Sequence, residues 1–101
     1  MEEDVVRALF PAMVERRRHL HRHPELSYQE KETSGFAAEK LRELGVETIV
    51  NVGGFGVVGK IRGGLPGKTV ALRADMDALP IQDEKSCEYA SEVPGVMHAC
   101  G

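Results

Sequence analysis

The sequence predicts an α/β fold in which two amino-terminal helices pack on a three-stranded antiparallel meander. Three observations carry that expectation. Apolar residues recur at three- and four-residue intervals before Gly45, and β-branched residues broken by glycine come after it. Two glycine clusters, Gly53-Gly54 and Gly63-Gly64-Leu65-Pro66-Gly67, are short enough to join antiparallel neighbours. With 101 residues, 42% hydrophobic and 29% charged, the chain has the composition of one small globular unit spanning 1–101. Such a length buries a modest core, so a piece lacking neighbouring strands and helices is expected to be marginal or to borrow a partner.

The first helix is read from Val6, Leu9, Phe10, Met13 and Val14, with Leu20 on the same broad face. Pro11 lies within it and removes one backbone donor, which predicts a kink there or a short turn before the main helix. His23-Pro24 ends it, because the residue before proline is pushed out of the helical region. Ser27 and Glu30 have the spacing of a capping box and place the start of a second helix near Tyr28. Phe36, Ala37, Leu41 and Leu44 form its expected buried stripe, and Gly45 closes it in the left-handed conformation. Three strands are then read at residues 46–52, 55–62 and 68–76. The third, with Thr69-Val70-Ala71-Leu72, is nearly all apolar and is expected to be central in a larger sheet covered on both faces. Residues 78–101 show no period, which marks a functional or incomplete stretch.

Charge and composition exclude several classes of partner. A net charge of -3 and a pI near 5.8 give no footprint for nucleic acid, which requires a clustered positive excess. The run Arg16-Arg17-Arg18 reads as a solvated helix face rather than a phosphate site. No apolar run approaches the roughly 20 residues that span a bilayer. The acidic opening Met1-Glu2-Glu3-Asp4 is unlike a secretory leader, and Cys87 and Cys100 fit a reducing, cytoplasmic setting.

Gly54-Phe55-Gly56-Val57-Val58-Gly59 matches the dinucleotide fingerprint in letters, with Asp75 about twenty residues on. The fingerprint requires a helix to begin at its glycines, and Lys60 to Gly67 cannot propagate one, so hairpin turns are the better reading. Asp75 and Asp77 lie two residues apart at the end of an expected strand and share a face, which suits metal or general-base chemistry. One capping a turn while the other pairs with Arg73 is an equally good account. His98 and Cys100 put an imidazole beside a soft thiolate, a combination usable for zinc and also common by chance in loops. His19 and His23 have the i, i+4 spacing of a helical metal site. Histidines in a last helical turn also complement the helix dipole, and no third ligand stands nearby.

Taken together, Arg17-Arg18-His19-Leu20-His21-Arg22-His23-Pro24-Glu25-Leu26, Leu72-Arg73-Ala74-Asp75-Met76-Asp77-Ala78-Leu79-Pro80-Ile81 and residues 94–101 resemble the di-metal amidohydrolases of the aminoacylase, hippurate hydrolase and auxin-conjugate hydrolase type. The resemblance covers essentially the whole chain and about the first quarter of such a protein. It implies the start of a di-metal peptidase-type catalytic domain, with a lid and dimerisation domain absent. It makes Cys100 a metal ligand whose histidine partner comes after Gly101, His98 a neighbour of the site, and Asp77 the aspartate that orients a metal-binding histidine. Asp75 takes a place held by a metal-binding histidine in related peptidases. His19 departs from the family's usual aspartate, and Ser86 and Glu88 from its usual Gly and Pro.

The activity implied is hydrolysis of the amide bond of a small-molecule N-acyl-L-amino acid with two divalent ions, zinc, manganese, cobalt or nickel, in a homo-oligomer. The piece alone is expected to be inactive. A reading of a different class is a non-enzymatic α/β binding module, with Cys100 a free thiol and Asp77 a turn residue.

Overall fold

A computed structural model describes residues 1–100. The chain divides into two compact units, one formed by Met1–Pro24 with residues 78–100 and the other by Glu25–Asp77. The first unit opens with α1, Glu2–Arg22, an uninterrupted helix that contains Pro11. Glu2, Glu3 and Asp4 lie in its first turn, and His19, His21 and Arg22 in its last, so both ends complement the helix dipole. The helix closes where the His23 N–H donates to the His19 carbonyl at 3.2 Å. Its expected apolar face is bare at Val6, Leu9, Phe10 and Met13 and half-buried at Val14 and Leu20. Val5, Val6, Leu9, Phe10 and Met13 are all more than half exposed, and the buried side chain of the helix is His21.

The second unit carries α2 (Lys31–Glu43), β1 (Glu47–Val52) and β2 (Gly56–Lys60). β1 and β2 form an antiparallel hairpin, with Glu47 opposite Lys60 and Ile49 opposite Val58 and an irregularity before Val52. α2 packs on both strands. Thr33, Ser34 and Ala38 are its buried residues, with Ala37 and Leu41 half-buried. Leu44, placed in that stripe by its spacing, is 68% exposed. Gly45, at φ +74°, turns the chain into β1 as expected. Gly56 permits the tight return into β2: a Cβ there would lie 2.3 Å from the Val52 carbonyl oxygen.

Three expectations are corrected. The sheet has two strands, because no strand is assigned over residues 68–76. Val70 and Leu72 are 85% and 98% exposed, so the apolar run has neither a ladder partner nor a covering layer among the described residues. α2 packs on the hairpin, whereas α1 belongs to the other unit. α2 also begins at Lys31 rather than near Tyr28, because the capping box does not form. The Ser27 hydroxyl is bonded elsewhere, and a Glu30 Oε1 oxygen accepts from the Tyr28 N–H at 2.6 Å.

The core is thin. Ala38, Ala78 and Pro24 are the buried apolar residues, and no large side chain is fully buried among the described residues.

Candidate functional site

In the second unit, the carboxylates of residues 75 and 77 take different partners. Asp75 pairs with Arg73, its Oδ1 3.1 Å from a guanidinium nitrogen on the exposed surface. This is the Arg73 pairing anticipated for one of the two. Asp77 instead accepts a short hydrogen bond from the Ser27 hydroxyl, fifty residues earlier. Ser27, Tyr28, Glu30, Phe55, Asp75 and Asp77 share one concave surface of this unit. The glycine-rich hairpin supplies its floor through Gly53 and Gly56, which is the role these glycines have in place of a nucleotide fingerprint.

Two features of this unit were not legible in the spacing. Tyr28 sits at φ +64°, a region that a bulky residue rarely adopts, with its side chain 86% exposed. Glu25 supplies the helix cap. Its carboxylate accepts from the Glu32 N–H at 3.1 Å, the Thr33 N–H at 2.6 Å and the Thr33 hydroxyl at 2.6 Å, which satisfies two backbone donors in the first turn of α2. Burial pushes the Glu25 carboxyl up. The Thr33 hydroxyl and the Thr33 and Glu32 N–H groups outweigh it and hold the pKa below the usual value.

In the first unit, the stretch after Ala78 has little regular structure and is nevertheless ordered. Leu79 and Met97 exchange backbone hydrogen bonds at 2.9 and 3.1 Å. The Gln82 Oε1 accepts from the Gly95 N–H at 2.7 Å, and the Ser91 hydroxyl donates to the Val96 carbonyl at 2.7 Å. At the centre lies Asp83, whose side chain is 1% exposed beside that of His21 at 3%. Asp83 Oδ2 accepts from the Ser91 N–H at 2.9 Å and lies 3.1 Å from His21 Nε2, while Oδ1 accepts from the Lys85 N–H at 3.0 Å. The Ser91 and Lys85 N–H groups hold the Asp83 pKa down at about 2, against the upward push of burial, with His21 and the Lys85 ammonium adding to them. A carboxylate at neutral pH makes His21 Nε2 the donor, so Lys85 Nζ, 3.4 Å from the same nitrogen, is a neighbour and not its hydrogen-bond partner.

The histidine cluster therefore has structural duties. His21 pairs with Asp83, and His23 Nδ1 lies 3.4 Å from Glu92. From the basic run, Arg18 stacks 4.5 Å over the Tyr89 ring, a contact unlike phosphate binding.

Cys100 is an exposed free thiol in this first unit, and Asp77 belongs to the second. Cys87 is also free and exposed. Among the described residues no group of three or more His, Cys, Asp and Glu side chains is placed to hold a metal ion. Cys100 offers a soft thiolate and Asp77 a carboxylate, residue types whose chemistry suits a metal site. Among the described residues no helix is long and apolar enough to cross a membrane.

Residues 71–101 match the model of the peptidase family M20/M25/M40. The chain is 57% identical over 97 residues to thermostable carboxypeptidase 1 of Saccharolobus solfataricus, covering 95% of this chain and 25% of that protein. It is 53% identical over 85 residues to an N-acyl-L-amino acid amidohydrolase of Geobacillus stearothermophilus, covering 84% and 23%. Among solved structures it resembles the Bacillus subtilis YXEP protein, a dinuclear metal-binding peptidase from the M20 family. That likeness has a TM-score of 0.87 at 43% identity and covers 94% of this chain and 27% of the other. The chain thus spans about a quarter of the length of the relatives it matches. Over that quarter the chain is similar to proteins of the M20 peptidase family, and residues 71–101 match the family's model.

Proposed function

We propose that the chain is the amino-terminal part of the catalytic domain of a metal-dependent amidohydrolase that cleaves N-acyl-L-amino acids into a carboxylate and a free amino acid. The observation that carries this reading is the 53% identity to an N-acyl-L-amino acid amidohydrolase over 85 residues, 84% of this chain. The dinuclear metal site of the YXEP protein supports two divalent ions, zinc, manganese, cobalt or nickel, in the complete enzyme. When bound, such ions polarise the amide carbonyl and make water a nucleophile at neutral pH.

The residues of this chain prepare that chemistry. Cys100 donates a thiolate to the metal pair. Asp77, with one oxygen engaged by the Ser27 hydroxyl, turns its other oxygen to the N–H of a metal-binding imidazole and fixes its tautomer and basicity. A thiolate ligand is preserved in a reducing compartment, which favours the cytoplasm. The remaining ligands, the proton-relaying glutamate and the dimerising lid domain belong to the rest of the enzyme, so the 101-residue piece alone has no activity.

The test is release of free amino acid from N-acetyl and N-benzoyl amino acids by the complete enzyme reconstituted with each metal in turn. Hydrolysis with at least one metal is expected, lost in Cys100→Ala and lowered roughly 10- to 100-fold in Asp77→Asn. An enzyme whose hydrolysis is unchanged by Cys100→Ala contradicts the proposal, as does one that cleaves neither substrate.

A further inference from the structure

We infer that the buried His21–Asp83 pair is a positioning device for the Cys100 segment, locking the 83–92 loop to the end of α1 so that residues 97–100 hold one conformation. The inference rests on the reading of Cys100 as a metal ligand and names what aims it.

The connection runs through short, directional bonds within the first unit. His21 Nε2 donates to Asp83 Oδ2, which also receives the Ser91 N–H. The Ser91 hydroxyl then donates to the Val96 carbonyl, one residue before the Leu79–Met97 bridge. A parallel route fixes the other side, from Gln82, which precedes Asp83, to the Gly95 N–H. The Glu92 N–H donates to the Arg22 carbonyl at 2.9 Å, which ties the far end of the loop to the last residue of α1. Cys100 lies three residues beyond Met97.

Stability alone gives little reason for such an arrangement. A buried ionic group is costly, and a well-packed apolar pair commonly serves as well or better. What the carboxylate provides is direction: three N–H groups converge on two oxygens of one side chain, and their geometry sets the path of a loop with no helix or ladder to set it. Ligands held by such outer contacts lose metal affinity when the contacts are removed.

The experiment uses the complete protein, with cobalt(II) as probe, reading its affinity and the thiolate-to-cobalt absorption band. Hydrogen exchange at the Leu79 and Met97 amides is measured in parallel without metal. His21→Leu is expected to weaken cobalt binding roughly 10- to 100-fold and to speed exchange at both amides. His21→Gln, which returns an N–H near the position of Nε2, restores most of both. Should His21→Leu fail to fold, Ser91→Ala cuts the link to Val96 at a half-buried site and is expected to cost roughly fivefold in affinity, the equivalent of one neutral hydrogen bond. Folded variants with wild-type cobalt affinity and wild-type Met97 exchange overturn the inference. A wild-type protein whose band does not depend on Cys100 overturns the metal reading instead, and the exchange data then separate that failure from a failure of the lock.

Discussion

The Glu25–Asp77 unit and the 78–100 segment of the other unit solve the same problem, satisfying backbone groups with little apolar surface to bury, in opposite ways. In Glu25–Asp77 the backbone mostly pairs with itself, in α2 and the β1–β2 hairpin, and charged side chains work at the edges, Glu25 on the helix end and Asp77 on Ser27. In the other unit, residues 78–100 have one isolated bridge, and side chains do the pairing: Asp83, Ser91 and Gln82 each take backbone partners. Self-paired backbone spreads its stability over many equivalent bonds. A loop held by one carboxylate concentrates it, so its stability should respond more steeply to single substitutions and to pH.

The largest expected effect breaks the concentrated side of the comparison. His21→Leu leaves the Asp83 charge buried without its imidazole and should lower the stability of the complete protein by about 3 kcal/mol, the lower end of the range for removing one partner of a buried pair. A urea midpoint within error of wild type would show that the loop does not depend on this contact. Gly56→Ala strikes the regular side at its tightest point, where the new Cβ must displace the Val52 carbonyl. A loss of about 2 kcal/mol is expected, visible as faster exchange of the hairpin amides. Glu25→Ala removes the cap of α2 and should cost about 1 kcal/mol, with the Thr33 amide losing protection first. Tyr28→Asn should be neutral or stabilising by up to about 1 kcal/mol, since asparagine tolerates the left-handed backbone at φ +64° better than tyrosine.

Acid sharpens the contrast. Asp83 has its folded-state pKa lowered from 3.8 to about 2, so its stabilisation is complete above the unfolded value and disappears as pH falls through about 2. Glu25 shifts in the same direction. Amide exchange between pH 4 and 2, corrected for intrinsic rates, should show the Lys85 and Ser91 protection falling with the protonation of Asp83, while the hairpin amides of β1 and β2 change least.

Legibility in the sequence divides along the same line. α1, α2 and the first two strands are readable because each has a period or a glycine boundary, and the helix-breaking residues after Gly59 separate the glycine-rich hairpin from a nucleotide fingerprint. The expected third strand is absent because its apolar run has no ladder partner among the described residues. The start of α2 differs from the expected one because Ser27 is equally suited to cap a helix and to bond Asp77, and local spacing does not distinguish the two. His21 with Asp83 leaves no signal at all, since sixty-two positions separate them and no motif links an imidazole to a distant loop aspartate. Asp77 and Cys100 are singled out by family resemblance. Spacing alone leaves metal chemistry and turn chemistry equally open for the paired aspartates.

X-ray absorption at the zinc edge of the reconstituted complete enzyme reads the Cys100 ligand itself. A sulfur scatterer at about 2.3 Å from zinc is expected, and it disappears in Cys100→Ser. A first shell containing only nitrogen and oxygen in the wild-type protein would contradict it.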